Sequence, residues 1–486
     1  MVIVSGVITT GRGEPLNTFV GRKDYLAQLS AELEMVRASK AGRFVLIRGR
    51  RRVGKSRLVE EFLKRAKVPY LFFTASRQTP ERELSLFAEE LASSRLPAAE
   101  MARSGVRFDS WEAALAMIAQ TADTMSPAVL VLDEFSYLVE QDLSIEATLQ
   151  KVWDRRLQKR PILLIVVGSD ISMMAALTQY GRPLYGRPHM EMVVRPLSPS
   201  ETASMLRLDA PEAWDAYLAV GGMPMIAASW PRGANLKGFL SEALTNPFSP
   251  LVVAGERALA AEFPTETMAR SVLSGIGSGE TTFTSIQAAT NTQQMSLKRA
   301  LDTLVGRKRI VTVLRPLSSR PSRETRYFVA DPYLRFWLRF VGPNIEAIER
   351  GRGEMVASKV WTDWPTYRGQ AIEPLVREAI ERLLPDARFG HARWVGGYWN
   401  RTGTTQVDLV GAKKDKQPER IEFVGSIKWR ERAPFDRHDL QRLLEQRRSV
   451  PGTDERTLLV GVSRSGFAAE ESDVRLTAED LLKAWK

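Results

Sequence analysis

The segment from Gly49 to Ser56 has the residue types and spacing of a phosphate-binding loop. A basic run lies between two glycines and is followed by Lys55 and Ser56, which fits the pattern G-x-x-x-x-G-K-[ST]. The glycines let the backbone curl, so that main-chain N–H groups point inward at phosphate oxygens. An apolar run at 44–49 precedes the loop and an amphipathic stretch at 55–67 follows it. We therefore expect a strand, the loop, and a helix whose positive dipole end adds to the attraction.

A second chemical signal is the apolar run at 129–134, which ends in two acids. We expect Asp133 to hold Mg²⁺ through water and Glu134 to polarise an attacking water molecule. Lys55 is expected to reach the β- and γ-phosphates of a nucleoside triphosphate, and the hydroxyl of Ser56 to bind Mg²⁺. Taken alone, the two acids would more simply end a strand in solvent. The phosphate-binding loop upstream favours the functional interpretation.

The next apolar run, 162–168, is followed by Ser169. This serine is a candidate sensor of the γ-phosphate or, equally, a cap of the following helix. Together these patterns predict a site for ATP and Mg²⁺. The residues predicted to bind the nucleotide from these patterns are Gly49, Arg50, Arg51, Arg52, Val53, Gly54, Lys55, Ser56, Arg57, Asp133 and Ser169.

Composition limits the class of protein and its partners. The chain has 486 residues, of which 44% are hydrophobic and 26% charged, a balance typical of soluble globular proteins with several domains. The net charge of +12 favours anionic partners: nucleic acid, nucleotide phosphates or an acidic protein. Cysteine is absent, which excludes disulfides, cysteine-ligated metals and cysteine nucleophiles, and indicates a reducing cytoplasm. We expect no membrane partner and no secretory signal in the first fifteen residues.

The distribution of apolar runs predicts an α/β core followed by three further segments. Candidate strands lie at 44–49, 70–75, 128–134, 162–168 and 189–196, with helices between them such as 55–67 and 82–94. The first four strands are almost continuously apolar, which is typical of a parallel sheet covered on both faces. Later candidate elements are helices over 200–260 with a GGMP turn at 221–224, three short helices and a hairpin over 264–329, and, beyond 367, a helix, strands near 406–411 and 421–429, a helix and a strand at 457–462. The expected domains are 1–199, 200–262, 263–350 and 351–486.

A basic stretch accompanies the predicted hairpin. Residues 282–328 fit a winged helix, with 295–307 as the recognition-type helix. Between Arg307 and Arg326 there are seven basic residues and one acid, so this stretch carries half of the net charge. Such a stretch suits non-specific contacts with DNA phosphates, and packing against the core or binding of a protein is the competing interpretation. The candidate DNA contacts are Arg315, Arg320, Arg323 and Arg326.

With these motifs the chain resembles the prokaryotic, archaeal-type ATPase family of the AAA+/STAND-like P-loop group. The matching strings are FVGR at 19–22, GRRRVGKS at 49–56, LVLDEF at 130–135, LYGRP at 184–188, RPLSPSE at 195–201, GGMP at 221–224 and DPYLRFWLRFVGPN at 331–344. The resemblance implies an ASCE/AAA+-like parallel sheet of order 5-1-4-3-2, followed by a helical lid. That order places the strand before Ser169 beside the strand before the phosphate loop.

The resemblance also implies further site residues. Phe19, Val20 and Arg22 match the segment that contacts the adenine and ribose side of the nucleotide. Arg187 matches a charge-stabilising arginine near the γ-phosphate, with Arg182 as a nearby alternative. An ordinary surface arginine in a loop is the competing interpretation. The GGMP turn resembles a sensor-region turn of STAND-type switches and equally fits a turn that breaks a helix.

The C-terminal segment resembles a restriction-endonuclease-like (PD-(D/E)XK) domain. Glu373 matches the helix acid, Asp408 the strand acid and Lys428 the lysine of the next strand, a set that holds a divalent metal and a nucleophilic water. Ser426 stands where a second strand acid is expected. Glu422 is four residues away, roughly 13 Å along a strand, which is too far to replace it. We therefore expect a nuclease-like fold with weak, altered or lost cleavage, or a domain that only holds nucleic acid.

Our leading prediction is a cytoplasmic, Mg²⁺-dependent ATPase that couples its nucleotide state to rearrangement of the winged-helix and nuclease-like modules, acting on DNA. One alternative is a DNA-binding or DNA-processing effector whose ATPase is only a switch. Another is a slow signalling or scaffold NTPase that exchanges ATP and ADP and binds a protein partner or forms a homo-oligomer.

Overall fold

The computed structural model describes residues 19–263, 265–468 and 472–486. The described chain divides into two compact units, with the boundary between Pro196 and Leu197. The expectation about a secretory signal falls on residues outside this description. Among the described residues, no helix is both long and apolar enough to cross a lipid bilayer.

The first unit is a parallel α/β structure. Its strands β1–β5 are Arg43–Arg48, Tyr70–Thr74, Ala128–Asp133, Ile162–Gly168 and Met190–Val193. Its helices α1–α8 are Lys23–Ser39, Lys55–Ala66, Pro80–Ser93, Ala99–Arg103, Trp111–Thr121, Phe135–Gln141, Ile145–Arg155 and Ile171–Ala176. The strands pair in parallel in the order β2-β3-β4-β1-β5, which confirms the order 5-1-4-3-2. The fifth strand is shorter than predicted, because its pairing with β1 ends at Arg48, where the phosphate loop begins.

Both faces of this sheet are buried, as the continuous apolar runs predicted. Side chains of a strand point alternately to opposite faces. Leu130 and Leu132 of β3 therefore pack into one hydrophobic cluster, and Val129 and Val131 pack into a second cluster on the other face. Since all five strands run in the same direction, the residues that follow β1, β3 and β4 meet at one edge of the sheet.

The second unit combines helices, a hairpin and a mixed sheet. Its strands β6–β12 are Val311–Leu314, Arg326–Val329, Trp394–Trp399, Gln406–Ala412, Ile421–Lys428, Leu458–Ser463 and Val474–Leu476. Its helices α9–α21 are Pro199–Leu206, Ala210–Val220, Pro224–Ala227, Leu236–Thr245, Pro250–Glu262, Thr267–Gly277, Phe283–Thr290, Gln294–Asp302, Pro332–Phe336, Ile345–Glu349, Gly353–Leu383, Arg437–Ser449 and Ala478–Leu482. Three short helices, α14–α16, followed by the antiparallel hairpin of β6 and β7, agree with the sequence pattern.

The mixed sheet of this unit has the order β12-β11-β10-β9-β8. Strands β8, β9 and β10 are antiparallel neighbours, whereas β11 and β12 run parallel to β10. Sequence patterns did not predict β8, which is interrupted by two glycines, or β12, which has three residues. Buried side chains from Leu206 to Leu482 form one hydrophobic cluster. The finer domain boundaries near 262 and 350 stay predictions.

Candidate nucleotide site and a second carboxylate site

The phosphate loop lies between β1 and α2, in the strand–loop–helix context that the motif requires. A Cβ atom at Gly49 would lie 2.5 Å from the main-chain oxygen of Val194, so a side chain there would displace the loop. Gly54, which precedes α2, has a φ of 90°, a left-handed conformation that favours glycine. The two glycines of the motif are therefore required by the backbone path, and this path curls the loop.

The ammonium group of Lys55 lies at the centre of this loop. Its side chain is buried, and Nζ donates hydrogen bonds to the main-chain oxygens of Gly49 (2.9 Å) and Arg50 (3.1 Å) and to Oγ of Ser169 (2.9 Å). Burial lowers the pKa of Lys55, while the carboxylates of Glu134 and Asp133 act in the opposite direction. Because the ammonium has three donors and three neutral acceptors, a phosphate oxygen can replace one of them and restore the charge balance.

Ser56 and Asp133 form a pair suited to Mg²⁺. Oγ of Ser56 donates to Oδ2 of Asp133 at 2.7 Å, and Oδ1 of Asp133 accepts from the N–H of Glu134 at 2.9 Å. Burial raises the pKa of Asp133 to about 6, against the hydrogen bond from Ser56. A nearby divalent cation would favour the ionised carboxylate, and a hydroxyl plus a carboxylate are oxygen ligands of the kind that Mg²⁺ binds. These residues therefore fit the cation that the motif implies.

Only one of the two carboxylate oxygens of Glu134 is hydrogen-bonded to a described residue. Its Oε1 accepts from Oγ of Ser169 at 2.6 Å, but its Oε2 is buried and bonds to no partner among the described residues. A buried carboxylate oxygen without a partner costs free energy, so a water molecule or another polar ligand is expected there. Ser169 thus joins Lys55 to Glu134. The cap of α8 is formed by Asp170, whose carboxylate accepts from the N–H of Met173.

The segment before α1 packs against the phosphate loop. Arg22 is buried, and its guanidinium donates to the main-chain oxygens of Val53 (2.9 Å) and Arg195. It therefore joins the loop to the chain after β5. Phe19 and Val20 are half-buried, and Phe19 packs on the hydrophobic cluster of this face of the sheet. The structure therefore brings Arg22 to the loop and places Phe19 on a cluster that contains Val53 of the loop.

The two arginines of the segment before β5 lie against helix α7. Arg187 pairs with Asp154 at 3.2 Å and donates to the main-chain oxygen of Tyr185 at 2.8 Å. Arg182 pairs with the buried carboxylate of Glu146. Within the described part of the chain, neither arginine contacts the phosphate loop. The structure therefore does not bring Arg187 together with Lys55 and Glu134.

Two contacts at the mouth of the loop were not signalled by any motif. Arg51 donates to the hydroxyl of Tyr137 at 2.8 Å, and the guanidinium of Arg77 lies 4.2 Å from the centre of the Tyr137 ring. Tyr137 belongs to α6 and Arg77 to the loop after β2. Only the parallel order of the strands brings these positions together, so spacing in the sequence could not have identified them.

The predicted nuclease-like residues lie on α19, β9 and β10. Glu373 accepts from Arg377 at 2.8 Å, and Nε of Arg377 donates to the main-chain oxygen of Asp408 at 2.9 Å. Oδ2 of Asp408 accepts from the N–H of Ile427 at 2.9 Å and from Oγ of Ser426 at 3.2 Å. The helix acid and the strand acid are thus close together, with the guanidinium of Arg377 in contact with both residues.

This second site does not fit a divalent metal. Lys428 points to Asp439, with 3.5 Å between Nζ and Oδ1. Burial raises the pKa of Glu373 to about 7, an effect that Arg377 opposes and the nearby Asp408 adds to. Among the described residues there is no group of three His, Cys, Asp or Glu side chains that could hold a metal ion. The arginine supplies the positive charge that a metal would supply.

The segment 315–325 that joins β6 to β7, the predicted wing, packs on the mixed sheet. The N–H of Leu317 donates to the main-chain oxygen of Gly397 at 2.9 Å, and its side chain lies in a buried cluster of that sheet. Arg326 is half-buried, 4.5 Å from the ring centre of Trp399, and donates to Gln406. The other three predicted DNA contacts, Arg315, Arg320 and Arg323, are exposed.

Two family models and one relative match this chain. Residues 19–226 match a family model described as an ATPase domain predominantly from Archaea, and residues 337–442 match a family of archaeal and bacterial proteins of unknown function. An uncharacterized protein of Methanocaldococcus jannaschii is 24% identical over 447 residues, covering 90% of this chain and 93% of the relative.

Two solved structures are similar over most of their own length. A Walker-type ATPase of Pyrococcus abyssi is 19% identical, covers 67% of this chain and 97% of its own, and has a TM-score of 0.46. The ORC2 protein of Aeropyrum pernix is 13% identical, covers 69% of this chain and 96% of its own, and has a TM-score of 0.45. Together, the phosphate loop, the order of the strands and the match over residues 19–226 support an archaeal-type P-loop ATPase in this part of the chain.

Proposed function

We propose that the protein binds ATP with Mg²⁺ at the edge of the first sheet and hydrolyses it there. The observation that carries this proposal is a buried series of side-chain hydrogen bonds, in which Lys55 donates to Ser169 and Ser169 donates to Glu134. The second carboxylate oxygen of Glu134 has no partner among the described residues. It lies beside the pair of Ser56 and Asp133. A buried carboxylate oxygen that has no protein partner, next to a hydroxyl–carboxylate pair, is suited to binding a water molecule and a polar substrate.

Main-chain and side-chain groups of the site have different roles in ATP hydrolysis. Main-chain N–H groups of the loop and the ammonium of Lys55 hold the β- and γ-phosphates. Ser56 and Asp133 would hold Mg²⁺, which when bound supplies charge neutralisation at the phosphate oxygens. Glu134 orients a water molecule and accepts its proton as the water oxygen bonds to the γ-phosphorus. The bond to the β–γ bridging oxygen breaks, and ADP and phosphate leave.

The test is nucleotide binding and turnover by Lys55→Ala beside Lys64→Ala, a change on the exposed side of the same helix. We expect Lys55→Ala to lose both activities and Lys64→Ala to retain them. Unchanged ATP binding and hydrolysis in Lys55→Ala would refute the proposal.

For Arg187 we propose a charge-stabilising role during turnover. In its present position the arginine is paired with Asp154, so this role requires either release from that pair or action on the nucleotide of a second copy. Mixing inactive Lys55→Ala with inactive Arg187→Ala separates the two routes. Recovery of activity on mixing supports action on a second copy, and full activity of Arg187→Ala alone removes the role.

A second candidate function is DNA binding by the second unit, coupled to the nucleotide state. It is favoured by the exposed Arg315, Arg320 and Arg323 and by Lys298 and Arg299 on α16, none of which forms an ion pair within the described residues. We expect DNA to stimulate ATP turnover, and DNA affinity to fall with salt. In a plot of the logarithm of the DNA-binding constant against the logarithm of the salt concentration, each lost phosphate contact should make the slope shallower by about 0.9. Absence of DNA binding at low salt would eliminate this candidate.

A further inference from the structure

Tyr137 on α6 is in contact with two arginines from different segments at the mouth of the phosphate loop. Its hydroxyl accepts from Arg51 at 2.8 Å, and its ring lies under the guanidinium of Arg77 at 4.2 Å. The Arg51 guanidinium is also 5.8 Å from the ring centre. Arg77 has a carboxylate partner, Glu140, at 2.9 Å, whereas the side chain of Arg51 donates to the neutral phenol of Tyr137.

Arg51 is close enough to Lys55 to interact electrostatically with the phosphates that Lys55 is proposed to bind. It belongs to the loop itself, and its positive charge contributes to lowering the pKa of Lys55. A phenol hydroxyl is a weak acceptor for a guanidinium, whereas phosphate oxygens form charge-assisted and often bidentate hydrogen bonds. The contact between Arg51 and Tyr137 is therefore the kind of contact that an added phosphate displaces.

Arg77, in contrast, is held in place. Its φ of 62° lies in the left-handed region, and the buried carboxylate of Glu83 accepts hydrogen bonds from the N–H groups of Ser76 and Gln78 at 2.8 Å each. The loop after β2 is thus fixed on both sides of Arg77. When Arg51 leaves Tyr137, Arg77 and Glu140 remain.

We propose that Tyr137 retains Arg51 when no terminal phosphate is present, and that Arg51 exchanges this hydroxyl for the γ-phosphate of ATP. Contact of Arg51 with the γ-phosphate favours a nucleoside triphosphate over a diphosphate, and the loss of the Tyr137 hydroxyl contact offsets part of that preference. The exchange reports the γ-phosphate to α6, to which Tyr137 belongs. This inference rests on the proposed ATP site and adds Arg51 and Tyr137 as the residues that set its specificity.

The test compares ATP and ADP affinities of the full chain carrying Tyr137→Phe, which keeps the ring under Arg77 and removes the competing hydroxyl. Because one hydrogen bond to a partly exposed cation is removed, we expect ATP to bind about threefold to tenfold more tightly and ADP to change by less than about twofold. Tyr70→Phe is the matched control, since the side chain of Tyr70 on β2 is exposed and its hydroxyl makes no hydrogen bond to a described residue.

A second comparison isolates Arg51. In an Arg51→Ala background we expect Tyr137→Phe to have no effect on ATP affinity, because the exchange needs the guanidinium. Equal effects on ATP and ADP, no effect on either, or an undiminished effect without Arg51 would overturn the inference and leave the ATP site standing. Failure of the unaltered protein to bind either nucleotide would overturn both.

Discussion

Two sites of this protein each contain two acids and a lysine, but the hydrogen bonds and ion pairs of these residues differ. One site lies at the edge of the first sheet (the first edge), and the other is formed by α19, β9 and β10 of the mixed sheet (here called the second edge). At the edge of the first sheet, Lys55 is held by carbonyl and hydroxyl oxygens, and Glu134 keeps a buried oxygen without a partner. At the mixed sheet, Glu373 is paired with Arg377, and Lys428 is paired with Asp439. The first arrangement needs a ligand and the second is already neutralised.

The difference shows that residue types do not define a site by themselves. Burying an ionised group costs free energy unless a counter-charge or hydrogen bond compensates it. At the first edge that compensation is incomplete within the protein, so a nucleotide, a cation and a water molecule can supply it. At the second edge the arginine already supplies it, and a metal ion would have to displace a buried guanidinium.

The largest expected effect is on catalysis at the first edge. Changing Glu134→Gln removes the proton acceptor while keeping the shape, so turnover should fall on the order of 10²–10⁴-fold. ATP affinity should change little, because the loop and Lys55 are intact. Single-turnover hydrolysis measures this, with Glu90→Gln on the exposed side of α3 as control. Full turnover in Glu134→Gln would show that the unmet oxygen is not catalytic.

The next effect is on stability at the second edge. Arg377→Ala leaves the buried Glu373 without its cation, which should cost about 3–5 kcal/mol of unfolding free energy at pH 8. The cost should be smaller at pH 5.5, because the carboxyl group, with its pKa of about 7, can then be protonated. Denaturant unfolding measures both. Arg350→Ala, which breaks an exposed pair with Glu346 at the same spacing, should cost almost nothing.

Equal losses in Arg377→Ala and Arg350→Ala would contradict the neutralised arrangement at the mixed sheet. Metal binding that improves in Arg377→Ala would instead show that the guanidinium occupies a latent metal site.

A smaller effect of opposite sign is expected for Asp133→Asn in the absence of nucleotide. Burial raises the pKa of Asp133 from 3.8 to about 6, so the folded state binds the proton more tightly than the unfolded state. The stability of the unaltered protein should therefore fall as the pH rises from about 4 to about 6. At pH 7.5 Asp133→Asn should raise the unfolding free energy by about 1–3 kcal/mol relative to the unaltered protein, whereas near pH 4 this gain should vanish. Thermal unfolding at both pH values measures it, and a destabilised variant at pH 7.5 would refute it.

The smallest effect is a change of slope at the second edge. Because the folded pKa of Glu373 is raised from 4.5 to about 7, its contribution to stability is lost as the pH rises through that window. Glu373→Gln should make the unfolding free energy less dependent on pH. Because Arg377 loses its charge partner at the same time, the net change in unfolding free energy at pH 7 should be small. An unchanged slope would indicate that Glu373 titrates normally.

The first site was largely predictable, because its signals are local. A glycine-bounded basic run followed by Lys55 and Ser56, and an apolar strand ending in Asp133 and Glu134, each specify a backbone path and a chemistry within a few residues. Parallel strands then bring these ends to one edge. The choice for Ser169 between cap and sensor was open, and the structure assigns the cap to Asp170.

The orientations of the long cationic side chains were not predictable. Arg187, Arg326 and Lys428 lie against Asp154, Trp399 and Asp439 respectively. Except for the last, these partners are more than thirty residues away along the chain. Arginine and lysine have many rotamers of similar energy, so the nearest acceptor in the folded protein decides where each one points.

By itself, the sequence determined the curled phosphate loop, the acidic strand end and the parallel sheet, because these depend on backbone geometry and on continuous apolar runs. The tertiary structure alone decided which charges are left for a ligand and which are neutralised within the protein. Charge compensation is a property of groups that meet in space, and the order of residues along the chain does not contain it.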